Sequence, residues 1–197
     1  MKSLTVGALA FALPLTAAAQ QESYTIDPVH SFVLFSIEHL GVMNFMGRFN
    51  RTNGKFTIDR AAKKGGVDLA VETASIDTGD NERGNRPRSR DEHLRSADFF
   101  NVAEFPRMAY KSTNVKFSGD NPVEIEGQLT LLGVTKPVNL KVDRWVCREN
   151  PFNKRSMCGG NASGALKRSE FGMKYMLQNN LLGDEVRLFL NVEGYKD

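Results

Sequence analysis

The side chains best suited to chemistry in this sequence are three histidines that lie near acidic residues. They are His30, His39 and His93, with Asp27, Glu38 and Asp91 close to them in the sequence. Imidazoles and carboxylates bind Zn²⁺, but strong metal motifs place their ligands at short fixed spacings. His30 and His39 are nine residues apart, so they point to opposite faces of a regular strand. We predict no metal site and expect hydrogen-bonded histidines at the ends of the fold.

A serine hydrolase is not predicted either. His30, Ser31 and Asp27 contain the right side chains, but adjacent residues on a strand point apart. The sequence also lacks the G-x-S-x-G motif that exposes a nucleophilic serine. We assign no catalytic residues and no cofactor.

A cluster of arginines offers a second kind of chemistry. The cluster lies in the long stretch between residues 75 and 106 and consists of Arg83, Arg86, Arg88, Arg90 and Arg95. Guanidinium groups bind phosphates and carboxylates through paired hydrogen bonds, so these residues are candidates for holding an anionic head group. The alternative is a solvated loop whose charge is balanced by Asp77, Asp80, Glu82, Asp91 and Glu92.

Residues 1–19 have the pattern of a secretory signal peptide. Lys2 precedes an apolar stretch from Leu4 to Leu15, and Ala17 to Ala19 form the small-residue cleavage site. Cleavage there would leave residues 20–197 as a single domain with a periplasmic location. No other apolar stretch approaches the length of a membrane span, and the net charge of +3 does not indicate nucleic-acid binding.

The exported part contains two cysteines, Cys147 and Cys158. An even number of cysteines in an oxidising compartment favours a disulfide, and two allow only one pairing. The alternative is two separate buried thiols.

The secondary structure that positions these side chains is predicted to be β-strand. Apolar residues alternate with polar ones along most of the chain. The alternation predicts eight strands, near residues 30–39, 47–58, 67–74, 107–117, 122–132, 137–147, 157–168 and 184–195. Short connections imply antiparallel neighbours, and residues 90–97 are expected to form a short helical insertion between strands three and four. An all-β, eight-stranded antiparallel up-and-down barrel is therefore predicted.

Two features refine this barrel. The first strand is apolar on both faces, which predicts core on one side and either packing elements or an apolar cavity on the other. Residues 47–58, around Asn53-Gly54, and residues 107–117 each change the parity of their apolar positions. A β-bulge or a hairpin tip would each produce this change, and we expect a bulge in both.

The polar face of each strand is densely charged and the chain has a single Trp, so the apolar face is expected to point inward rather than toward lipid. A small barrel is filled by side chains or holds one small ligand. Small residues on the seventh strand, Gly159, Gly160 and Gly164 among them, indicate either room in the lumen or close backbone contacts. The candidate lumen residues are Val33, Phe35, Ile37, His39, Phe45, Phe49, Leu129, Leu131, Gly164, Leu188 and Leu190.

Several motifs in order along the chain carry a family resemblance. They include Asp27-Pro28-Val29-His30-Ser31, Phe35-Ser36-Ile37-Glu38-His39-Leu40-Gly41, Arg90-Asp91-Glu92-His93-Leu94, Gly127-Gln128-Leu129-Thr130-Leu131-Leu132-Gly133-Val134-Thr135-Lys136-Pro137 and Glu170-Phe171-Gly172-Met173. The chain resembles the YceI-like family of lipocalin-like, polyisoprenoid-binding periplasmic proteins. The resemblance implies an extended lipocalin-like barrel holding an isoprenoid or another amphiphilic chain, often as a homodimer and without an established catalytic activity. Residues 83–89 are extra to the family pattern, and the two cysteines flank a loop of their own.

Three classes of function follow. The first is a periplasmic carrier of an isoprenoid or fatty amphiphile. The second is an enzyme acting on such a lipid, which would need a titratable pair in the lumen with perturbed pKa values, and Glu38 with His39 is the pair to look for. The third is a structural or interaction barrel, which a solidly filled lumen would support.

Overall fold

The protein is an all-β barrel with one short helix, seen here in a computed structural model that describes residues 21–178 and 181–197. The predicted signal peptide, residues 1–19, lies outside the described residues. The elements are β1 (Glu22–Ile26), β2 (Phe32–His39), β3 (Met43–Phe49), β4 (Thr52–Asp59), β5 (Lys64–Glu72), β6 (Ile76–Asp77), α1 (Arg90–Arg95), β7 (Arg107–Ser118), β8 (Asn121–Leu131), β9 (Val134–Pro137), β10 (Leu140–Glu149), β11 (Ser156–Lys167) and β12 (Leu182–Lys196), with short 3-10 turns at Thr73–Ser75 and Arg168–Phe171.

Eight antiparallel strands close into a ring, as the alternation predicted. Around the ring the order is β1, β4, β5, β7, β8, β10, β11 and β12, and β12 pairs back with β1. At the other end of the barrel β2 takes the place of β1 beside β12, and β3 lies between β2 and β6. We call the end where β2, β3 and β6 lie the mouth, and the end where β1 lies the base.

The predicted second strand, residues 47–58, is divided by a corner at residues 50–51 into β3 and β4. Phe49 and Thr52 both point into the core, so the parity changes at this corner and not at a bulge around Asn53-Gly54. Gly54 instead lies inside β4, where a Cβ atom would be 2.1 Å from the Asp68 carbonyl oxygen. The bulge expected in residues 107–117 is confirmed, because the β7–β8 register shifts between Ser112 and Asn114.

Three short strands, β1, β6 and β9, were missed by the sequence prediction. β1 pairs with both β12 and β4, and β6 pairs with β3. β9 was expected to be a connection, but it folds back on β8. All three are short, so they carry little of the alternation that identifies a strand.

A disulfide fastens β10 to β11, as predicted from the two cysteines. Cys147 and Cys158 face each other in the strand register and are bonded, with a Cα–Cα distance of 4.0 Å. The Arg60 Nη2 group donates to the Cys147 sulfur over 2.8 Å. A disulfide fits an oxidising compartment.

The helices of the described segments include none with the length and apolarity needed to cross a bilayer. Among the described residues α1 is the only regular helix. It begins with a capping box in which Ser89 and Glu92 exchange hydrogen bonds. These bonds satisfy amide groups that would otherwise be free at the first turn. The buried Asp91 carboxylate accepts hydrogen bonds from the Thr78 amide and hydroxyl, which attaches α1 to the end of β6.

Candidate ligand-binding cavity

An apolar cavity of about 460 Å³ occupies the mouth half of the barrel. Its walls are the inward side chains of the ring strands together with β2 and β3. Around its opening lie α1 and the residues Met173, Tyr175, Met176 and Leu182. The volume lies within the usual range for small-molecule sites, roughly 300–1,000 Å³. The lumen is therefore not filled solid by side chains.

Most of the candidate lumen residues line this cavity. They are Val33, Phe35, Ile37, His39, Phe45, Phe49, Leu129, Leu131, Leu188 and Leu190. Alternation along the strands places them there, since every second side chain of an antiparallel strand points to the same face. Phe32 and Leu34 lie on the outer face of β2 and do not line the cavity. The Arg48 guanidinium lies 5.1 Å from the centre of the Phe32 ring, and Leu34 is the cross-strand partner of Phe189.

Gly164 does not line this cavity. A Cβ atom at Gly164 would lie 2.8 Å from the Leu140 side chain, so Leu140 already occupies the space in front of this glycine. Gly160 likewise faces the Arg144 carbonyl oxygen, where a Cβ atom would be 2.0 Å away. At these two positions the small residues of β11 permit close contacts rather than widening the mouth half of the lumen.

Three of the five candidate arginines reach the opening of the cavity, namely Arg86, Arg88 and Arg90. Arg86 makes a two-pronged ion pair with Asp80 at 2.6 and 2.7 Å, and Arg90 shares Asp80 at 3.3 Å. Arg88 contacts Asp98 at 3.0 Å. The Arg90 guanidinium also lies 4.3 Å from the centre of the Phe45 ring. The arginine cluster therefore contacts the wall of the cavity through a cation–π interaction.

Arg83 and Arg95 are directed elsewhere. Arg83 pairs with Glu92, and this contact lowers the pKa of Glu92 to about 2. Arg95 donates to the backbone oxygens of Ala74 and Ile76. Neither residue lines the cavity, so of the five only the three arginines at the opening could reach a head group.

The carboxylates at the opening are held ionised by these contacts. Arg86 keeps the pKa of Asp80 below its ordinary value, and His93 followed by Arg88 does the same for Asp98. Three arginines therefore face two carboxylates at the rim. This leaves a small positive excess, centred on Arg90, which shares its carboxylate with Arg86.

The histidines are divided between the two ends of the barrel. His39 and His93 line the cavity, and His93 contacts Asp98 at 2.9 Å rather than its sequence neighbour Asp91. Glu38, the expected acid partner of His39, is exposed, so the pair expected for catalysis is not brought together in the lumen.

His30 lies outside the cavity beside Asp27, at 2.8 Å, and near Glu193, at 3.8 Å. Hydrogen bonding to Asp27 raises the pKa of His30. These three groups have ligand atoms within 4.8 Å of one another. His30 remains largely exposed, and the cluster surrounds the break between β1 and β2.

Comparison with known proteins places this barrel in a family. A model of the YceI-like domain matches residues 24–194. A UPF0312 protein of Pseudomonas aeruginosa is 39% identical and covers 99% of this chain and 98% of its own. Protein YceI of Escherichia coli O6:H1 is also 39% identical, over 97% of this chain and 94% of its own. The chain belongs to the YceI-like family.

Solved structures show the same fold at lower identity. BcnA of Burkholderia cenocepacia superposes with a TM-score of 0.66 at 20% identity, over 85% of this chain and 98% of that chain. A polyisoprenoid-binding domain of Saccharophagus degradans, implicated in plant cell wall breakdown, superposes with a TM-score of 0.61 at 17% identity, over 88% of this chain and 98% of that chain. These likenesses support the lipocalin-like architecture of the YceI-like chain.

The structure adds a cavity residue that sequence reasoning missed. Arg168 is 1% exposed and lines the cavity. Its guanidinium donates to the backbone oxygens of Met173, Tyr175, Leu182 and Gly183 at 2.7 to 3.0 Å. These bonds hold the backbone of those four residues beside the opening. An arginine two residues before the Glu170-Phe171-Gly172-Met173 motif was a weak signal, because most arginines are exposed.

Tyr110 and Leu140 also line the cavity without having been predicted. The Tyr110 hydroxyl donates to the Val138 oxygen at 3.0 Å. Its ring lies directly over Gly127, where a Cβ atom would be 2.4 Å from the ring. The alternation marked both positions as apolar or inward, but it did not separate cavity wall from filled core.

Proposed function

We propose that this protein binds a long-chain isoprenoid or another amphiphilic lipid in the barrel cavity and carries it through the periplasm. The observation that carries the proposal is the 460 Å³ cavity itself, because its wall is apolar and its charged groups gather at the opening. A hydrocarbon chain gains roughly 0.8 kcal/mol for each CH₂ that it buries, before ordering costs are subtracted. Such a site suits a ligand too insoluble to diffuse alone.

Two further observations support this function. The fold is shared with a domain of Saccharophagus degradans described as polyisoprenoid-binding. The signal-peptide pattern of residues 1–19 and the Cys147–Cys158 disulfide both suit an exported protein. The open cavity also argues against a purely structural barrel.

We further propose that Arg90, with Arg86 and Arg88, meets an anionic head group at the opening. Arg90 is the strongest candidate because it lies against Phe45 of the cavity wall and only shares its carboxylate. A phosphate or carboxylate could join this network by taking over part of the pairing now supplied by Asp80 and Asp98. The small positive excess favours an anionic head group over a cationic one.

The first experiment identifies the ligand. Protein purified without detergent is extracted with organic solvent, and the extract is analysed by mass spectrometry. We expect a lipid in stoichiometric amount. A lipid-free extract, together with failure of the purified protein to take up any long-chain lipid, would reject the proposal.

A pair of neighbouring substitutions tests where the lipid binds. Leu188 lines the cavity, whereas the adjacent Phe189 lies on the opposite face of β12 and is 40% exposed. We expect Leu188→Glu to abolish lipid retention and Phe189→Glu to leave it intact. Circular dichroism establishes that both variants fold, and equal loss of lipid in both would contradict a luminal site.

A second comparison tests the head group. Arg90→Gln keeps much of the side-chain length and removes the charge. We expect several-fold weaker binding of a fatty acid and unchanged binding of the alcohol with the same chain. Arg83→Gln, on the same loop but paired with Glu92 away from the cavity, is the matched control. Equal loss for acid and alcohol would indicate a defect in folding rather than a lost head-group contact.

A further inference from the structure

The lumen has a second, smaller compartment below the main cavity. It measures about 70 Å³ and lies toward the base, between residues such as Ile58, Val115, Phe117 and Val192. The order along the strands shows its position: on β12, Leu188 lines only the main cavity, Leu190 lines both, and Val192 lines only the lower compartment.

Three leucines separate the two compartments, namely Leu69 on β5, Leu140 on β10 and Leu190 on β12. They are the residues that line both cavities, and they are between 3% and 6% exposed. They come from different parts of the barrel wall, and Leu140 projects against Gly164 of β11. Together they form a layer across the lumen, which we call the leucine layer.

Hydrogen bonds and aromatic packing surround this layer. Tyr110, the cross-strand partner of Leu69, is fixed by hydrogen bonds from its hydroxyl to the Val138 and Ile125 oxygens. Below the lower compartment the Phe56 ring packs against Trp145 at 5.3 Å and against Tyr24 at 4.9 Å. A chain entering from the mouth therefore meets leucine side chains first and an aromatic base behind them.

The lower compartment suits hydrocarbon better than water. A buried water needs two to four polar partners, whereas this compartment is walled mainly by aliphatic and aromatic side chains. The buried Trp145 Nε1 group has no hydrogen-bond partner within the part of the chain that is described. One donor is too few to hold a water, and cavities of this kind stay dry.

We infer that the leucine layer sets the length of chain that the protein accepts, and that the lower compartment becomes available when the layer is opened. This inference rests on the proposed lipid-binding function. It assigns Leu69, Leu140 and Leu190 the role of a chain-length stop. Chains that end above the layer bury every carbon, and longer chains leave carbons in water at the mouth.

The test uses straight-chain 1-alkanols from ten to eighteen carbons as probes, with delipidated protein and displacement of a fluorescent hydrophobic dye as the readout. Each buried CH₂ strengthens binding about fourfold. We expect the affinity of the unaltered protein to rise by that factor up to a certain chain length and then to stop rising. Leu140→Ala is expected to move that limit to longer chains by about two carbons, since it removes about that length of side chain from the layer.

Four further variants make the result specific. Ala162→Leu fills the lower compartment from β11 and is expected to leave the limit of the unaltered protein unchanged, while Leu140→Ala combined with Ala162→Leu restores that limit. Val115→Ala enlarges the lower compartment without opening the layer and should also leave the limit unchanged. Leu140→Val removes only one carbon and serves if Leu140→Ala does not fold.

The outcomes separate the two proposals. Suppose that the unaltered protein binds alkanols and that affinity stops rising at the same chain length in the Leu140 variants. The chain-length stop is then wrong. An equal shift in Val115→Ala would overturn it as well. If the unaltered protein binds no alkanol of any length, the proposed lipid-binding function fails, and the inference that depends on it fails too.

Discussion

At the scale of single residues, Arg168 is a charged side chain that is almost fully buried in the cavity wall. Burial lowers the pKa of its guanidinium, and the nearby Asp184 only partly offsets this effect. The side chain is stabilised by four backbone oxygens in place of a direct carboxylate partner. Each of those oxygens would lose its partner if the guanidinium were removed, and unsatisfied buried polar groups are costly.

We therefore predict that Arg168→Met lowers the free energy of unfolding by about 4 kcal/mol. The loss should be accompanied by faster amide hydrogen exchange in residues 173–176 and 182–183, because the guanidinium binds four backbone oxygens in these two segments. Arg168→Lys is the control, since an ammonium group keeps the charge but cannot reach four oxygens in the same geometry, and we expect an intermediate loss. A destabilisation below about 1 kcal/mol for Met would show that the four bonds contribute little.

Glu22 gives the barrel base a dependence on pH. A hydrogen bond from Lys196, opposed by burial and assisted by Arg60, lowers the pKa of Glu22 to about 2. Since the folded-state pKa lies below the ordinary value of 4.5, the carboxylate stabilises the fold fully above pH 4.5, and this stabilisation is lost as the pH falls toward 2.

Glu22→Gln is expected to remove about 1 kcal/mol at pH 7, after allowance for solvent screening of this partly exposed group, and almost nothing at pH 2. Urea unfolding between pH 7 and 2 measures both values. Glu170→Gln is the matched control, because Glu170 is exposed and makes no ion pair within the described residues. A constant difference between unaltered protein and Glu22→Gln across the pH range would contradict the linkage.

At the scale of elements, one strand position of the barrel is filled by two consecutive strands that pair with the same neighbour. The first strand position consists of β1 and β2, and both parts pair with the long β12. Ser31, fully buried at the break, exchanges hydrogen bonds with the backbone of Glu193. The break therefore costs few hydrogen bonds, because Ser31 and β12 supply partners where the strand is interrupted.

The β10–β11 hairpin is the element that the disulfide stabilises. The bridge closes a loop with a sequence separation of 11 residues, so its loss should destabilise the protein by about 3 kcal/mol. Urea unfolding with and without reductant measures this difference. The double variant Cys147→Ala and Cys158→Ala should be destabilised to a similar extent and should not respond to reductant. A response of that double variant would show that the reductant acts elsewhere.

At the scale of the whole molecule, an open cavity links ligand binding to stability. Packing contacts are missing across the 460 Å³ of the lumen, so the empty barrel lacks part of the apolar contact that a filled core provides. A ligand that binds only the folded barrel shifts the folding equilibrium by mass action.

Delipidated protein should therefore gain about 2.7 kcal/mol in unfolding free energy when a long-chain lipid is added at one hundred times its dissociation constant. Thermal unfolding with and without the lipid provides the measurement. Leu188→Glu should show no gain, whereas Phe189→Glu should respond as the unaltered protein does. A gain in Leu188→Glu would indicate that the lipid binds the outside of the barrel.

The arginine cluster and the cavity wall show which features a local sequence pattern can predict. The positions of Phe35 and Leu188 on the inner face were predictable, because side-chain direction along a strand repeats every two residues and depends only on neighbours in the chain. The pairing of Cys147 with Cys158 was also predictable, because two cysteines leave one choice. Whether Arg86 and Arg88 were free or paired was not predictable, since Asp80 and Asp98 both lie within reach only after the loop has folded.

The sequence by itself determined an antiparallel barrel, its inward and outward faces and its family, because each of these follows from local alternation or from short motifs. It also determined the disulfide, because two cysteines allow one pairing. Only the tertiary structure decided the corner at residues 50–51, the burial of Arg168 and the division of the lumen by Leu69, Leu140 and Leu190. The physical reason is that a side chain on an inward face is either core or cavity wall according to how much space its distant neighbours fill. That space is set by contacts between strands far apart in the chain, which no local pattern records.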